Sequence, residues 1–387
     1  MMRTLDTPKT IRRRRGSWPI WIFVFAVPIG VAICVLGMRW DTRSADERLA
    51  EIEAARAIPD SENAAVIYDR LRQDPNASLL LEQVPEFLHP DNKDSELFEA
   101  PWKSSDHTDA ATWIQAAQPI VDTLIEASRF EQCRFPIEID DENRDDQMNR
   151  NSAMRSWARL LRMAAYNDVA EGRIDAAMAK WICLLQMGKH LRQEPDYITH
   201  FTASAIEGIA LSDMARYVVE DLPTESQLQR VESMPPSLAK SWPAMEQELD
   251  TVEQLTKQKL TESLSAVQGT AFRLVSLYLN FGTDSVRPRR KELIHDKCLA
   301  DVRALHILIA LKRFYYENNR WPEHLHAIRA SLSEAILTDP INQGAFVYRQ
   351  MGDSFRLYSK GVNKKDDDGR REPLTKDGAD DWLFWPR

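Results

Sequence analysis

The chain has 387 residues, 43% of them hydrophobic and 28% charged, a balance that excludes an intrinsically disordered protein and leaves room for two or three domains of about 150 residues each. Its net charge of -9 divides unevenly: residues 1–38 carry six Lys and Arg against one Asp, so the rest stands at -14. An acidic body of that kind excludes nucleic acid as a partner, because binding phosphate takes clustered cations.

The N-terminus accounts for the asymmetry. The stretch IRRRRGSWPIWIFVFAVPIGVAICVLGMRW sets Arg12–Arg15 before an uncharged run from Gly16 to Met38. About 20 apolar residues cross the hydrocarbon core as a helix. The run is therefore read as a transmembrane helix over 18–38 behind a basic cytoplasmic tail over 1–17. Trp18, Trp21 and Trp40 stand near its ends, where aromatic rings settle at the interface, and the arginine block favours a cytoplasmic N-terminus. Pro19 falls in the first turn, where its missing N–H costs nothing, and a membrane helix tolerates a kink at Pro28. A cleaved signal peptide would carry a shorter apolar run closed by small residues. Here GMRWDTR follows, so an uncleaved anchor is the better reading.

Residues 39–58 read as a juxtamembrane helix. Leu49, Ile52 and Ala55 recur at threes in a charged stretch, the pattern of a thin amphipathic stalk ended by Pro59. Asp60 or Ser61 then caps a second helix that stops before Pro75. Residues 85–110 are polar and proline-bearing, a loop-rich excursion. A helical stripe returns with Trp113, Ile120, Leu124 and Ala127, kinked at Pro119, and CRFPIEIDDENRDDQMN reads as an acidic loop. The clearest pattern in the chain follows. Met154, Trp157, Leu161, Ala164 and Ala165 form one apolar stripe, and Gly172 stops that helix by taking the left-handed conformation. Ile174, Ala177, Met178, Trp181, Leu184 and Leu185 form the next stripe. The pair reads as a tetratricopeptide-type hairpin, without a second copy at the ~34-residue period of a repeat array. Further helices are expected in 197–222, 224–233 and 239–281, which makes 59–295 one helical extracytoplasmic domain.

The last stretch, 296–387, changes character. A long helix carries Leu299, Val302, Leu305, Leu308, Leu311 and Tyr315 and turns at Asn318 and Asn319. Phe346 and Tyr348, then Phe355 and Leu357, alternate around MGD, as in an antiparallel hairpin. The fold class expected is thus mainly α: an N-terminal transmembrane helix, an α-helical middle domain and a small C-terminal α+β module.

The ordered series Ala310, Tyr315, Arg320-Trp321-Pro322, Leu325, Asp339-Pro340, Phe346, Tyr348, Phe355, Leu357-Tyr358-Ser359-Lys360-Gly361 and Asp366–Gly369 resembles the C-terminal domain of the major pseudopilin of type II secretion. The resemblance implies a long helix feeding a small sheet, an acidic calcium-binding loop, and a setting beside a secretion or pilus-like apparatus. It covers the C-terminal module alone: after Gly16 the chain reads SWPIW, with Trp21 where that family has glutamate. The wider layout also resembles bacterial single-pass membrane proteins. That implies the inner membrane as location, with the membrane and envelope proteins as partners.

The best candidate for chemistry is the acidic stretch SKGVNKKDDDGRREPLTKDGADDWLFWPR. An EF-hand register with Gly369 at the sixth position puts Lys364 first and Thr375 twelfth, where such a loop needs Asp and Glu. The EF-hand is excluded. A looser calcium shell stays open, built from backbone carbonyls with Asp366 or Asp368 and Asp380 or Asp381. A solvated, ion-paired loop stays open too, because residues 360–381 carry six Lys and Arg against seven Asp and Glu. Trp382, Phe384 and Trp385 are expected to fold back onto the sheet. His324 and His326 lack the i, i+4 spacing of a helical zinc site and read as surface histidines. Asp140, Asp141, Glu142, Asp145 and Asp146 read as a solvated turn, with paired carboxylates for hydrolysis as the alternative. No G-x-S-x-G, P-loop, G-x-G-x-x-G or H-E-x-x-H motif occurs. Cys34 lies in the span and Cys183 on an apolar face, so Cys133 and Cys298 are the pair if a disulfide forms. The function expected is non-catalytic: a membrane-anchored envelope protein for protein–protein interaction or scaffolding. An envelope hydrolase or carbohydrate-binding protein using the acidic loops is the alternative.

Overall fold

The computed structural model describes residues 44–77, 96–137, 141–234, 242–265, 288–372 and 379–386. The expected basic tail and membrane span, 1–38, lie outside the described residues. Among the described residues no helix is long and apolar enough to cross a membrane.

Helix α1 (Ala45–Arg56) starts on Ser44. The Ser44 hydroxyl accepts from the Glu47 N–H and the Glu47 carboxylate accepts from the Ser44 N–H, a reciprocal cap. The expected amphipathic helix is present as α1, and its apolar side packs on the body. Its Leu49 and Ile52 close a small apolar cluster with Ile137 and with Val252 and Leu255 of helix α10 (Trp242–Ser265). Asp46 pairs with Lys259 at 3.0 Å, and Arg56 reaches the buried Glu194 at 2.8 Å. These partners are remote in sequence, so no local pattern announces them.

Helix α2 (Ala64–Gln73) is capped by Asn63, whose side chain accepts from the Ala65 N–H; Asp60 is taken up in a short 3-10 turn with Ser61 and Glu62. Asn63 also accepts from the Arg134 N–H at 2.9 Å and donates to the Arg134 carbonyl at 2.9 Å. That second duty explains why Asn63 is the cap. Among the described residues the excursion after it carries a short helix, α3 (Glu96–Glu99), beside Trp102. The helix expected to kink at Pro119 is instead two, α4 (Thr108–Ala116) and α5 (Gln118–Ala127), with Pro119 in the first turn of the second. Proline is at home there because that N–H has no partner inside the helix.

The expected acidic loop is likewise corrected. From Asp141 it is already helix, the start of α6 (Asp141–Ala170). Carboxylates in the first turns of a helix are favoured by its dipole, so the same run of acids serves a loop or a helix start. The hairpin of α6 with α7 (Ile174–Leu191) forms where the stripes place it. Gly172 turns at φ +75°, while the Gly172 and Arg173 N–H groups donate to the Val169 and Asp168 carbonyls, closing the end of α6. Helix α8 (Tyr197–Glu220) packs on α7, α6 and α11 (Pro288–Asn318). Helix α9 (Glu225–Ser233) has a Thr224–Gln227 capping box.

Trp157, Trp181, Tyr166, Leu124 and Met154 are fully buried, each apolar side chain contributing about 1.5–3 kcal/mol on burial. Helix α11 runs through residue 296, and its Leu305, Leu308 and Leu311 join Trp181, Leu211, Phe355 and Phe384 in one hydrophobic core. After α11 the chain turns at Asn319 (φ +53°), passes a short helix α12 (Glu334–Leu337) and enters the sheet. Strands β1 (Val347–Met351), β2 (Ser354–Ser359) and β5 (Trp382–Trp385) form an antiparallel sheet in the order β1-β2-β5. Two-residue strands β3 (Arg371–Glu372) and β4 (Ala379–Asp380) pair beside it. The aromatic tail thus folds back as the third strand of the sheet. Cys133, Cys183 and Cys298 are all buried and free, so of the alternatives left open the structure has no Cys133–Cys298 disulfide. The Cys298 thiol is held elsewhere, donating to Glu207 Oε2 at 3.1 Å.

Candidate functional site

The acidic stretch folds as a tight turn between β2 and β3, and backbone geometry sets its shape. Gly361 takes φ +61°, and a Cβ there would stand 2.3 Å from the Asp380 carbonyl oxygen. Only glycine fits. Lys364, Asp368 and Gly369 also take positive φ, winding the acidic triplet into a compact loop.

The four aspartates do four local jobs. Asp380 accepts from the Val362 N–H at 3.0 Å and the Asn363 N–H at 3.2 Å. Asp381 is fully buried, and its Oδ2 accepts from the Gly369 and Asp367 N–H groups at 2.8 and 3.0 Å. Burial raises its pKa, outweighing those two hydrogen bonds. Among the described residues its buried Oδ1 has no partner. Asp366 accepts from the Tyr358 hydroxyl at 2.7 Å and from Arg349 at 2.8 Å. Partial burial raises its pKa, but the Tyr358 and Arg349 bonds outweigh that and leave it lowered. Asp368 pairs with the other arm of Arg349, and its carbonyl accepts from Arg356 at 3.1 Å.

These carboxylates do not converge. Among the described residues no three His, Cys, Asp or Glu side chains are placed to hold one metal ion. Calcium takes six to eight oxygens, whereas here two carboxylates face a guanidinium and two face backbone N–H groups. The donor set as it stands does not fit the ion. His324 and His326 are exposed, as expected of surface histidines. In the acidic run at the start of α6, Asp145 is exposed and Asp146 pairs with Arg72 of α2. Two surface grooves, about 660 and 580 Å³, border α2 and share Val66 and Asp69, and a third of about 420 Å³ is lined by Asp366, Lys360 and Lys364.

Sequence reasoning passed over a second set of polar residues, buried in the helical body. Arg192 donates to both oxygens of Glu207, at 2.8 and 2.6 Å, and to Ser204 at 3.1 Å. Burial lowers the Arg192 pKa, but the Glu207 charge outweighs it and leaves it raised; burial pushes the Cys298 thiol up. Gly188 makes room for this pair, since a Cβ there would stand 2.3 Å from Glu207 Cγ. Asp213 accepts from Tyr166 at 2.7 Å and from Arg162 at 3.0 Å, and burial pushes it up to about 6. Lys180 and Arg173 share Asp168, at 2.5 and 2.8 Å. His190 bridges Tyr68 and the Phe130 carbonyl at 2.9 and 2.7 Å, and burial depresses it to about 4. One signal was available: an isolated glycine inside a helical pattern, as in LLQMGKHL, points to a packing reason.

The charged pairs neutralise one another across helix interfaces. No family model, no curated protein and no solved structure matches this chain. The residues alone carry the reading.

Proposed function

We propose that this protein is a non-catalytic envelope protein, anchored in a bacterial inner membrane by 18–38, that presents a stiff helical body and a pseudopilin-like sheet to other proteins. Interaction or scaffolding beside a secretion or pilus-like apparatus is the setting this favours. No cofactor is needed for that role.

One observation carries the reading: α1 is fastened to the body by the Arg56–Glu194 pair, the Asp46–Lys259 pair and the Leu49 cluster. Only residues 39–44 separate the apolar run from α1, a reach of at most about 20 Å. An anchor joined so closely to a fixed helix would hold the body against the membrane surface with little freedom. That suits a component positioned for assembly better than an enzyme that must meet a diffusing substrate.

The test has two arms. The full chain and a variant lacking residues 1–38 are expressed, and membranes are washed with alkaline carbonate. The full chain should stay in the membrane pellet and the shortened one should not; release of the full chain would sink the anchor. In-cell crosslinking from photoreactive residues at exposed Leu222, Ile198 and Met351 should then give discrete adducts with envelope proteins. A surface that yields none at any position would end the interaction reading.

A further inference from the structure

We infer that Arg349 stands in the cation position of the acidic turn, so that this loop is closed by the protein's own guanidinium where the resemblance implies calcium. The inference holds whether or not 18–38 spans a membrane.

Arg349 sits on β1, opposite Arg356 of β2, at the edge of the sheet that faces the turn. One arm of its guanidinium donates to Asp366 Oδ2 at 2.8 Å and the other to Asp368 Oδ1. A planar fork is suited to bridging two carboxylates. Tyr358 fixes the arrangement from the next strand: its ring lies 5.9 Å from the guanidinium and its hydroxyl donates to Asp366 Oδ1 at 2.7 Å. Arg356 adds a bond from 3.1 Å to the Asp368 carbonyl, an oxygen of the kind calcium would use.

The turn has need of a cation. Asp381 is fully buried within it, with Oδ2 spent on the Asp367 and Gly369 N–H groups and Oδ1 without a partner among the described residues. The Asp367 N–H bonds that carboxylate, and the charges of Asp367 and Asp366 bear on it. Acids gathered in one turn repel one another unless positive charge is brought in. A metal ion would bring it from solution. Here the neighbouring strand brings it, covalently attached and permanently charged.

The experiment uses the full chain in detergent micelles with terbium(III) as probe and calcium as competitor, Tyr358 and Trp382 serving as sensitisers. Wild type should show no saturable sensitised emission at tens of micromolar terbium, and about 1 mM calcium should leave its Tm unchanged. Arg349→Gln uncovers the site. It should bind terbium at least about tenfold more tightly than wild type, a gap of about 1.4 kcal/mol, and release it to calcium. Arg349→Lys keeps the charge and should remain closed. Adding Asp366→Asn and Asp368→Asn to Arg349→Gln should abolish the gained binding, which separates this turn from other acidic surface. Circular dichroism confirms that each variant is folded. Wild-type binding as tight as that of Arg349→Gln would overturn the inference, and so would an Arg349→Gln variant that gains no site.

Discussion

Replacing Gly188 with alanine should destabilise the protein, although alanine is the better helix former. Gly188 lies near the end of α7, and across the interface on α8 stands Glu207. A Cβ at 188 would meet Glu207 Cγ at 2.3 Å and Cδ at 2.9 Å. Glu207 cannot swing aside cheaply, because Arg192 holds both its oxygens and its side chain is fully buried. Alanine gains about 1 kcal/mol of helix propensity. Overpacking costs about 1–3 kcal/mol, and displacing one member of a buried ion pair costs about 3–5 kcal/mol. With partial relaxation the net loss should be about 2–4 kcal/mol, read as a lower urea midpoint at unchanged m-value. The cause is isolated by a double-mutant cycle. In a Glu207→Ala background the obstacle is gone, so Gly188→Ala should be neutral or stabilising by up to about 1 kcal/mol, a coupling of about 3 kcal/mol. A neutral single variant, or effects of the two substitutions that simply add, would refute the reasoning.

The fastening of α1 is tested by Arg56→Ala, which removes the ion pair of the buried Glu194 and leaves it the Phe135 N–H and the Arg150 charge, and should cost about 2–3 kcal/mol; hydrogen exchange over 45–56 should accelerate, and unchanged protection there would contradict the packing of α1. Acid should weaken the fold, because His190 is depressed to about 4 by burial. The stability due to its neutral form is present above about pH 6.5 and is lost as pH falls through 4, up to about 3 kcal/mol. Asp213 works in the opposite sense: raised to about 6, it favours the fold below about pH 4 and loses that contribution as pH rises through 6. Asp213→Asn should therefore steepen the stability loss between pH 6 and 4 in urea melts, and a slope parallel to wild type would exclude this role. Trp382 lies between Lys297 and Arg371, each 4.2 Å from its ring, and donates to Asp301 at 3.4 Å. Trp382→Ala should cost about 2 kcal/mol and loosen β5, and an unshifted melting curve would show that the tail does not hold the sheet.

What the sequence disclosed followed the range of the interactions involved. The α6–α7 hairpin was legible because its stripes and Gly172 all act within a few turns of chain. The β1–β2 hairpin was legible for the same reason, with alternation on either side of MGD. The start of α6 was not, since Asp141, Asp145 and Asp146 have poor helix propensity in the middle of a helix but are favoured in its first turns. Composition alone cannot say which applies. The two helices at Pro119 show the same ambiguity, proline being a breaker inside a helix and ordinary at its start. For the candidate site, the triplet Asp366–Asp368 stood out, yet the residue that decides its character, Arg349, lies on a strand whose pairing had to be known first. The Arg192–Glu207 pair and the docking of α1 on Glu194 were invisible for that reason as well.

The end of the chain shows how few residues can fasten a sheet when successive side chains are sent to different segments. Asp380 turns to the Val362 and Asn363 N–H groups, Asp381 to those of Asp367 and Gly369, and Trp382 to Lys297 on α11. Phe384 and Trp385 then enter the core that Leu305, Leu308 and Trp181 share. Releasing β5 would bare Phe355 and Leu357 and strand Asp381, so the sheet cannot open without disturbing the helical body. A shared core of this kind should unfold as one cooperative unit. Under the proposed function, that stiffness would hold a partner bound at the sheet in fixed register with α1.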